Sequence, residues 1–278
     1  MAITKAQSTV WASEVLANLN PALVFQRVAN TDYVGDIQGQ GSSVKIISIG
    51  AITGAAYTGA DITFNGVTDA EAVLAIDQKY ANGFKLDSVD LAQASVDLLQ
   101  PSLREMAFDL AKNVDTFISK LHAAAPAGNL VGTTALPITI TTAADAYKYL
   151  VQLRTKLSKA NVPMEGRWVV VPPEFIEMTL QDDRFVGAAA DPTIRERGAV
   201  QRAAGFDIFE SNTVDNTTGT KYKIMAGGPA TLTFAGQLME VEVGKPEKSF
   251  GTIAKALIVY GAKAPRGTDM AVLTANFA

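Results

Sequence analysis

The sequence contains no cysteine and only one histidine, His122, among its 278 residues. Without cysteine the chain has no disulfide, no thiolate ligand for zinc and no thiol nucleophile. A single histidine is also too few for a histidine-rich zinc site or a cysteine–histidine pair. His122 ends a segment with helical periodicity, and we interpret it as a helix-end cation or an exposed side chain rather than a catalytic group.

Charge is also scarce. Charged residues make up only 19% of the chain and hydrophobic residues 48%, whereas a typical soluble domain has about 25% charged residues. The net charge is −4 and no long basic run is present, which argues against tight nucleic-acid binding through phosphate neutralisation. A chain this poor in charge has either a large core or surfaces buried against partners. This composition is a first indication of a protein that assembles.

Long hydrophobic runs are missing as well. No apolar run reaches the roughly 20 residues that a membrane-spanning helix needs. The opening stretch, MAITKAQSTVWASEVLANLN, interrupts every apolar run with polar side chains and does not resemble a signal peptide. Neither GQGSSV nor AGGPAT has the pattern of a nucleotide-binding glycine loop. We therefore expect a protein made in a cytoplasm, with no membrane contact and no cofactor.

Two segments have helical periodicity. In SLREMAFDLAKNVDTFISKLHAAA apolar residues recur every three or four positions, which predicts a long helix over 102–125 that starts with a capping box of Ser102 and Glu105. The segment TTAADAYKYLVQLRTKLSKANVP predicts a second helix, capped by Thr142 and Asp145. The residues expected on the inner face of this second helix are Tyr147, Leu150, Val151 and Leu157.

Strand patterns occur on both sides of these helices. SVKIISI predicts one arm of a long hairpin, and AVLAIDQKYANGFKL predicts a returning strand or a pair of strands. The low-charge stretch GAITGAAYTGADITFNGVT joins them. A two-stranded hairpin is only marginally stable in water, so it must lie on its own domain or on a neighbouring subunit. RWVVV predicts a strand buried on both faces, followed by Pro173 at the first position of a helix. Several more strands are predicted after residue 229.

The corner after RWVVV is where an α/β enzyme would place its chemistry. Asp182 and Asp183 are the candidate ligands there for a divalent cation, and a metal-dependent α/β enzyme is the alternative that they keep open. Adjacent residues in a turn seldom converge on one ion, and Arg184 follows directly. We therefore interpret the two aspartates as a solvated turn, and the corner as structural.

Three motifs, in order along the chain, resemble those of the major capsid protein of tailed bacteriophages, the Hong Kong 97-type fold shared with encapsulin shells. They are VVVPPEFIEMTLQDDRFVG, GAVQRAAGFDIFESN and EKSFGTIAKALIVYGAKAPRGTDMAVL. The residues that carry the resemblance are Pro172, Pro173, Phe185, Gly205, Phe206, Ser211, Asn212, Phe250, Gly251, Tyr260 and Gly261.

The resemblance implies an α+β fold in five segments. These are an N-terminal arm (1–40), an extended hairpin loop (41–88), a peripheral domain with a long spine helix (89–142), an axial α/β domain (143–228) and returning peripheral strands (229–278). Some family members carry an N-terminal assembly domain that a protease removes, whereas this sequence starts with the arm. Certain family members also crosslink their subunits covalently through Lys and Asn. Lys79 and Lys85 lie in the loop of this sequence, but nothing marks either as reactive, so we do not assign them this chemistry.

The function that the resemblance implies is a shell protein rather than an enzyme. It assembles with itself into hexamers and pentamers, which form the icosahedral phage head around double-stranded DNA bound without sequence specificity. A scaffolding protein, a portal and decoration proteins are the further partners expected, and the virion is the expected location. An encapsulin-like nanocompartment is the alternative within the same fold. Trp11, Tyr57, Thr58 and Phe64 are our candidates for contacts between subunits.

Overall fold

A computed structural model of the chain describes residues 24–32, 43–49, 69–87, 99–182, 202–246 and 250–277. Four α-helices lie in these segments. They are α1 (Phe25–Val28), α2 (Leu99–Ser119), α3 (Ala143–Lys159) and α4 (Pro173–Leu180).

Thirteen strands lie in the same described segments. They are β1 (Ser43–Ile49), β2 (Asp69–Ala75), β3 (Gln78–Asp87), β4 (Leu130–Val131), β5 (Ile138–Ile140), β6 (Trp168–Val171), β7 (Arg202–Ala203), β8 (Phe206–Glu210), β9 (Asn216–Thr217), β10 (Lys221–Gly227), β11 (Thr233–Gly244), β12 (Gly251–Lys263) and β13 (Met270–Phe277).

The strands form three sheets, of two, three and eight strands. The largest runs β4-β13-β10-β6-β8-β7, with β5 attached to β13 and β9 to β10. The three-stranded sheet runs β11-β12-β3, and β1 and β2 form an antiparallel ladder of their own. The mixed α+β architecture expected from the sequence is confirmed. Of the predicted hairpin segments, SVKIISI forms β1, and AVLAIDQKYANGFKL divides between β2, which pairs with β1, and β3, which pairs with β12.

The largest sheet separates two hydrophobic cores, and its strands alternate between them with period two. Trp168 and Val170 face the core that contains α2, whereas Val169 and Val171 face the core that contains α3 and α4. All four side chains of β6 are buried, which confirms the strand buried on both faces. Burying a valine side chain stabilises the fold by about 1.5 kcal/mol or more, so this short strand contributes strongly to both layers.

The long helix differs from its prediction at its start. Helix α2 extends to Leu99, and a 3-10 helix over Lys120–Ala124 continues it. Ser102 therefore lies inside the first turn, and the predicted capping box with Glu105 is wrong. The apolar stripe is confirmed, although Phe117 and Leu121, which also fit its period, are only partly buried. The buried residues of α2 are Leu103, Met106, Ala107, Leu110, Ala111, Val114, Asp115, Ile118 and Ser119.

Helix α3 starts as predicted. Thr142 is its N-cap, and the Thr142 Oγ1 accepts a hydrogen bond from the Asp145 N–H at 3.3 Å and donates one to the Asp145 carboxylate at 2.7 Å. The inner face was predicted only in part, because Val151 is 38% exposed and Tyr147 is half-buried. The buried residues of α3 are Ala146, Leu150, Leu153 and Leu157.

Candidate functional site

The three family-like motifs do not converge on one pocket in the described structure; each fixes a local junction. Pro172 is the N-cap of α4, and its carbonyl oxygen accepts a hydrogen bond from the Phe175 N–H at 3.0 Å. Pro173 occupies the first helical position, as predicted. Both prolines therefore serve to begin a helix at the end of β6. Phe185, in the same motif, lies outside the described residues.

The second motif forms a tight hairpin between β7 and β8. Ala204 and Gly205 both have positive φ, 51° and 85°, as the two central residues of a type I′ turn require. Phe206 follows and is fully buried in the core with α3 and α4. Ser211 ends the motif inside the protein, where its Oγ accepts a hydrogen bond from the Thr213 N–H at 3.2 Å. Asn212 is exposed.

The third motif holds β12 against its neighbours. Tyr260 is 3% exposed, and its Oη donates a hydrogen bond to Asn113 Oδ1 of the spine helix at 2.7 Å. Its ring meets the Phe117 ring edge-on, with the centroids 5.4 Å apart. Gly251 has a φ of 155°, and a Cβ there would meet the Leu86 carbonyl oxygen at 2.3 Å. These motif residues are explained by packing.

Phe250 differs from the rest of the third motif. Its side chain is 86% exposed, the most exposed of the large hydrophobic side chains in the described part of the chain. A single exposed aromatic ring is unremarkable by itself on a monomer surface. In a protein whose surfaces are covered by sister subunits, the same ring is a candidate contact. The other inter-subunit candidates, Trp11, Tyr57, Thr58 and Phe64, lie outside the described residues.

The acidic corner does not form a metal site in the described part of the chain. Asp182 is only 7% exposed, so the prediction of a solvated turn is wrong for this residue, and Asp183 lies outside the described residues. No group of three or more histidine, aspartate or glutamate side chains close enough to hold a metal occurs among the described residues. Across the same residues, no helix is long and apolar enough to cross a membrane.

His122 joins two parts of the chain that are far apart in sequence. It lies in the 3-10 helix that follows α2, where its Nδ1 is 3.1 Å from the Ser119 carbonyl oxygen and 3.8 Å from Asp215 Oδ2. The side chain is 22% exposed. It is thus a helix-end group with an acidic partner after β8, in keeping with the structural interpretation.

Several buried polar residues were not singled out by the sequence. Arg167 is 3% exposed, and its guanidinium donates hydrogen bonds to the carbonyl oxygens of Val162 at 2.6 Å and Pro163 at 2.9 Å. It thereby holds the loop between α3 and β6. Lys223 is 5% exposed and donates to the hydroxyl oxygens of Thr134 and Thr274. Burial lowers the pKa of Lys223. The one sequence signal for these roles is a charged residue next to or within an apolar strand, as Arg167 is before WVVV and Lys223 is in KYKIMAG.

An open groove of about 410 Å³ lies between β3 and α2. Its central carboxylate belongs to Asp109, which accepts hydrogen bonds from Tyr80 Oη at 3.0 Å and Asn82 Nδ2 at 2.7 Å. These bonds tie the outer strand of the small sheet to the spine helix. The carboxylate thus already has a structural role. The described residues thus form packed layers of helices and sheets, which include the long helix α2 and the two-stranded hairpin of β1 and β2.

Comparison with known proteins identifies that architecture. Residues 78–268 match the family described as Phage capsid protein. The chain belongs to this family of phage capsid proteins, which are structural proteins and not enzymes. It is accordingly a major capsid protein of the tailed-phage head shell. No curated protein sequence matches the chain.

Solved structures support the same fold. A structure from Mycobacterium phage Che8 is 27% identical, with a TM-score of 0.74 and 90% of each chain covered. The capsid of the cyanophage P-SCSP1u is 19% identical, with a TM-score of 0.67, and the match covers 92% of this chain and 89% of that one. A virus-like particle from Pyrococcus furiosus is 12% identical, with a TM-score of 0.61, over 98% of this chain and 100% of that one. At such low identity the last two show the fold alone.

Proposed function

We propose that copies of this chain assemble as hexamers and pentamers into an icosahedral shell around double-stranded phage DNA, with each hairpin lying across a neighbouring subunit. Five segments serve this assembly: an arm (1–40), the hairpin loop (41–88), a peripheral domain (89–142), an axial domain (143–228) and returning peripheral strands (229–278). A scaffolding protein, a portal and decoration proteins are the further partners we assign. DNA contacts are non-specific, in keeping with the net charge of −4.

The observation that carries the proposal is the way the hairpin joins the rest of the chain. Among the described residues, strands β1 and β2 pair only with each other, from Ser43 opposite Ala75 to Ile49 opposite Asp69. Among the side chains described in this region, Ile46, Leu74 and Ile76 pack with Ala235 and Val259 of the three-stranded sheet.

A two-stranded ladder anchored in this way is marginal in water by itself. Residues 50–68 join the far ends of the two strands and include only one charged residue, Asp61. A surface of another subunit supplies the contact that such a low-charge segment needs. Buried apolar contacts of this kind are typical of obligate interfaces. The hairpin thus favours an assembling protein over one that is complete as a monomer.

The first experiment measures particle size for the purified protein, with and without the proposed scaffolding partner, by light scattering and negative-stain microscopy. Closed shells tens of nanometres across, or hexamer-sized rings, are expected. A protein that stays monomeric with the scaffold and with crowding agents would contradict the proposal. Nucleic acid inside the shells, rather than an enzyme cargo, would separate the phage head from a nanocompartment.

The second experiment tests the hairpin directly. Residues 50–68 are replaced by Asn-Gly, which can close the Ile49–Asp69 end of the ladder with a two-residue turn. The shortened protein is expected to keep its circular dichroism spectrum and its thermal transition but to form no shells. Shells like those of the unaltered protein would show that this loop is not the inter-subunit contact. A matched loop of scrambled sequence and equal length separates the effect of length from that of the side chains.

A further inference from the structure

A carboxylate in the hydrophobic core of the described structure, that of Asp115, binds a segment that lies much nearer to the N-terminus. Asp115, in the middle of the spine helix, is 2% exposed. Its Oδ2 accepts a hydrogen bond from the Val24 N–H at 2.8 Å, and its Oδ1 accepts one from the Phe25 N–H at 3.2 Å. The spine helix is α2, and these two N–H groups lie at the start of α1, where backbone donors have no acceptor within their own helix. Asp115 therefore caps a helix that starts 90 residues earlier in the chain.

The segment held in this way, residues 24–30, has further attachments to the described part of the chain. Phe25 and Val28 insert into the core beside α2, at 1% and 6% exposure. At the other end of the segment, the Asn30 N–H donates to the Leu232 carbonyl oxygen at 2.8 Å, and the Phe234 N–H donates to the Asn30 carbonyl oxygen at 3.0 Å. The segment is thus a short clip with one polar anchor at each end.

The surroundings of Asp115 make its charge costly. The side chains that β11 and β12 contribute to this core include the apolar Phe234, Val241 and Ile258, and the Tyr260 hydroxyl is directed to Asn113. On the spine helix, the Ser119 hydroxyl donates to the Thr116 carbonyl oxygen and so does not serve the carboxylate. Among charged groups, Arg27 of the clip itself lies exposed and favours the ionised form. The two N–H bonds and the Arg27 guanidinium thus offset only part of the free energy that the carboxylate loses when it is removed from water.

We propose that residues 24–30 form a detachable clip whose docking on the spine helix takes up a proton at Asp115. When the clip leaves, water reaches the carboxylate and the ionised form becomes favourable again. Docking is therefore tight in acid and loosened near neutral pH. This inference concerns a single subunit and does not depend on the assembly proposed above. Its consequence is that the root of the N-terminal segment is most readily released near neutral pH.

The electrostatics agree with the geometry. Burial raises the pKa of Asp115 to about 6 in the docked state, against the opposing effects of the Val24 and Phe25 N–H bonds and of Arg27. A solvated aspartate has a pKa of about 3.9. A group whose pKa is raised in the docked state stabilises docking fully below the solvated value and loses that effect as pH rises through the docked value. The docking constant is therefore expected to fall by about fiftyfold between pH 4 and pH 7.

The test is amide hydrogen exchange of the full-length unassembled protein at several pH values across that range, corrected for the intrinsic exchange rate. Protection of the Val24 and Phe25 amides is expected to fall as the pH rises, with a plateau above about pH 7. In Asp115→Asn, which cannot ionise, this pH dependence is expected to disappear. The matched control is Asp109→Asn on the same helix, which should keep it.

Each outcome bears on the proposal. Protection in the unaltered protein that is constant or increases with pH would overturn it, whether or not Asp115→Asn folds. A pH dependence that survives in folded Asp115→Asn would also overturn it, because another group would then be responsible. Protection that falls in the unaltered protein and in Asp109→Asn, but stays flat in Asp115→Asn, is the result that establishes the clip.

Discussion

Gly261 lies so close to Ala75 that no side chain fits between them. A Cβ at Gly261 would be 2.1 Å from the Ala75 carbonyl oxygen and 3.0 Å from its carbonyl carbon. Gly261 belongs to β12 of the three-stranded sheet, and Ala75 ends β2 at the root of the hairpin. The glycine therefore allows the backbone of the hairpin to sit directly on the sheet. This contact explains a glycine that the sequence identified only by resemblance.

We expect Gly261→Ala to lower the free energy of unfolding of the unassembled subunit by about 3 kcal/mol, because the added methyl group overlaps backbone atoms. Urea unfolding followed by circular dichroism measures this loss. Gly128→Ala is the matched control, since a Cβ there meets nothing within 4 Å, and its effect should stay within about 0.5 kcal/mol. Equal effects of the two substitutions would show that the close approach is relieved without cost.

Arg167 is expected to be among the most sensitive polar residues of the described structure. Arg167→Met keeps the length of the side chain but leaves the carbonyl oxygens of Val162 and Pro163 without their buried donors, at a cost of about 3 kcal/mol. Arg202→Met removes only an exposed ion pair with Asp207, 3.5 Å apart, and should cost less than about 1 kcal/mol. The same urea experiment compares the two variants, and a similar small loss in both would contradict the assigned role.

Tyr222 and Glu174 form a pair that a double-mutant cycle can measure. The Tyr222 hydroxyl donates to Glu174 Oε1 at 2.5 Å, and Glu174 Oε2 is buried without a hydrogen-bond partner among the described residues. Combining Tyr222→Phe with Glu174→Gln should reveal a coupling free energy of about 1 to 2 kcal/mol. Strictly additive effects of the two substitutions would show that the hydrogen bond contributes nothing to stability.

The same pair predicts a pH dependence in alkali. The hydrogen bond to Glu174, with a smaller effect of burial, raises the pKa of Tyr222 to about 12. Since the pKa is raised in the folded state, the pair stabilises the fold fully below the unfolded value near 10, and this effect is lost as pH rises toward 12. The pKa values of Tyr80 and Tyr260 are raised as well, so the ultraviolet titration of tyrosinate should show several late-titrating groups. The Tyr222→Phe variant should lose the component near 12, and an unchanged titration curve in that variant would contradict the assignment.

Phe250 should matter for assembly and not for the fold. Because its side chain is 86% exposed, Phe250→Ser should change the free energy of unfolding of the subunit by less than about 0.5 kcal/mol. If a neighbouring subunit covers the ring, the yield of shells should fall severalfold under the same assembly conditions. Light scattering measures the yield, and an unchanged yield would show that Phe250 is not an interface residue.

Local signals in the sequence predicted local structure well. Thr142 and Asp145 predicted the start of α3 because an N-cap is made by residues three positions apart, without help from the rest of the fold. The run RWVVV predicted a strand covered on both faces because four successive apolar side chains need two apolar layers. The three motifs, taken together, predicted the fold family across most of the chain.

Local signals failed where the surroundings decided the outcome. Ser102 and Glu105 have the spacing of a capping box, yet α2 begins at Leu99, since packing of the helix overrides the local preference. Val151 matches the helical period but is exposed, while Leu153 is buried in its place. Asp182 looks like a surface residue in sequence and is nearly buried. Each of these errors concerns which face or which end of an element meets the core.

The sequence alone determined the composition of the layers, the positions of most helices and strands, and membership of the capsid family, because these depend on periodicity and on short motifs. Only the tertiary structure decided that Asp115 would cap α1, that the backbone of Ala75 would pack against Gly261 and that Arg167 would hold the loop before β6. Such contacts join residues far apart along the chain, and no local pattern encodes them. They arise because a buried polar group needs a hydrogen-bond partner, and a close backbone approach needs a small residue, from whichever segments the fold places beside it.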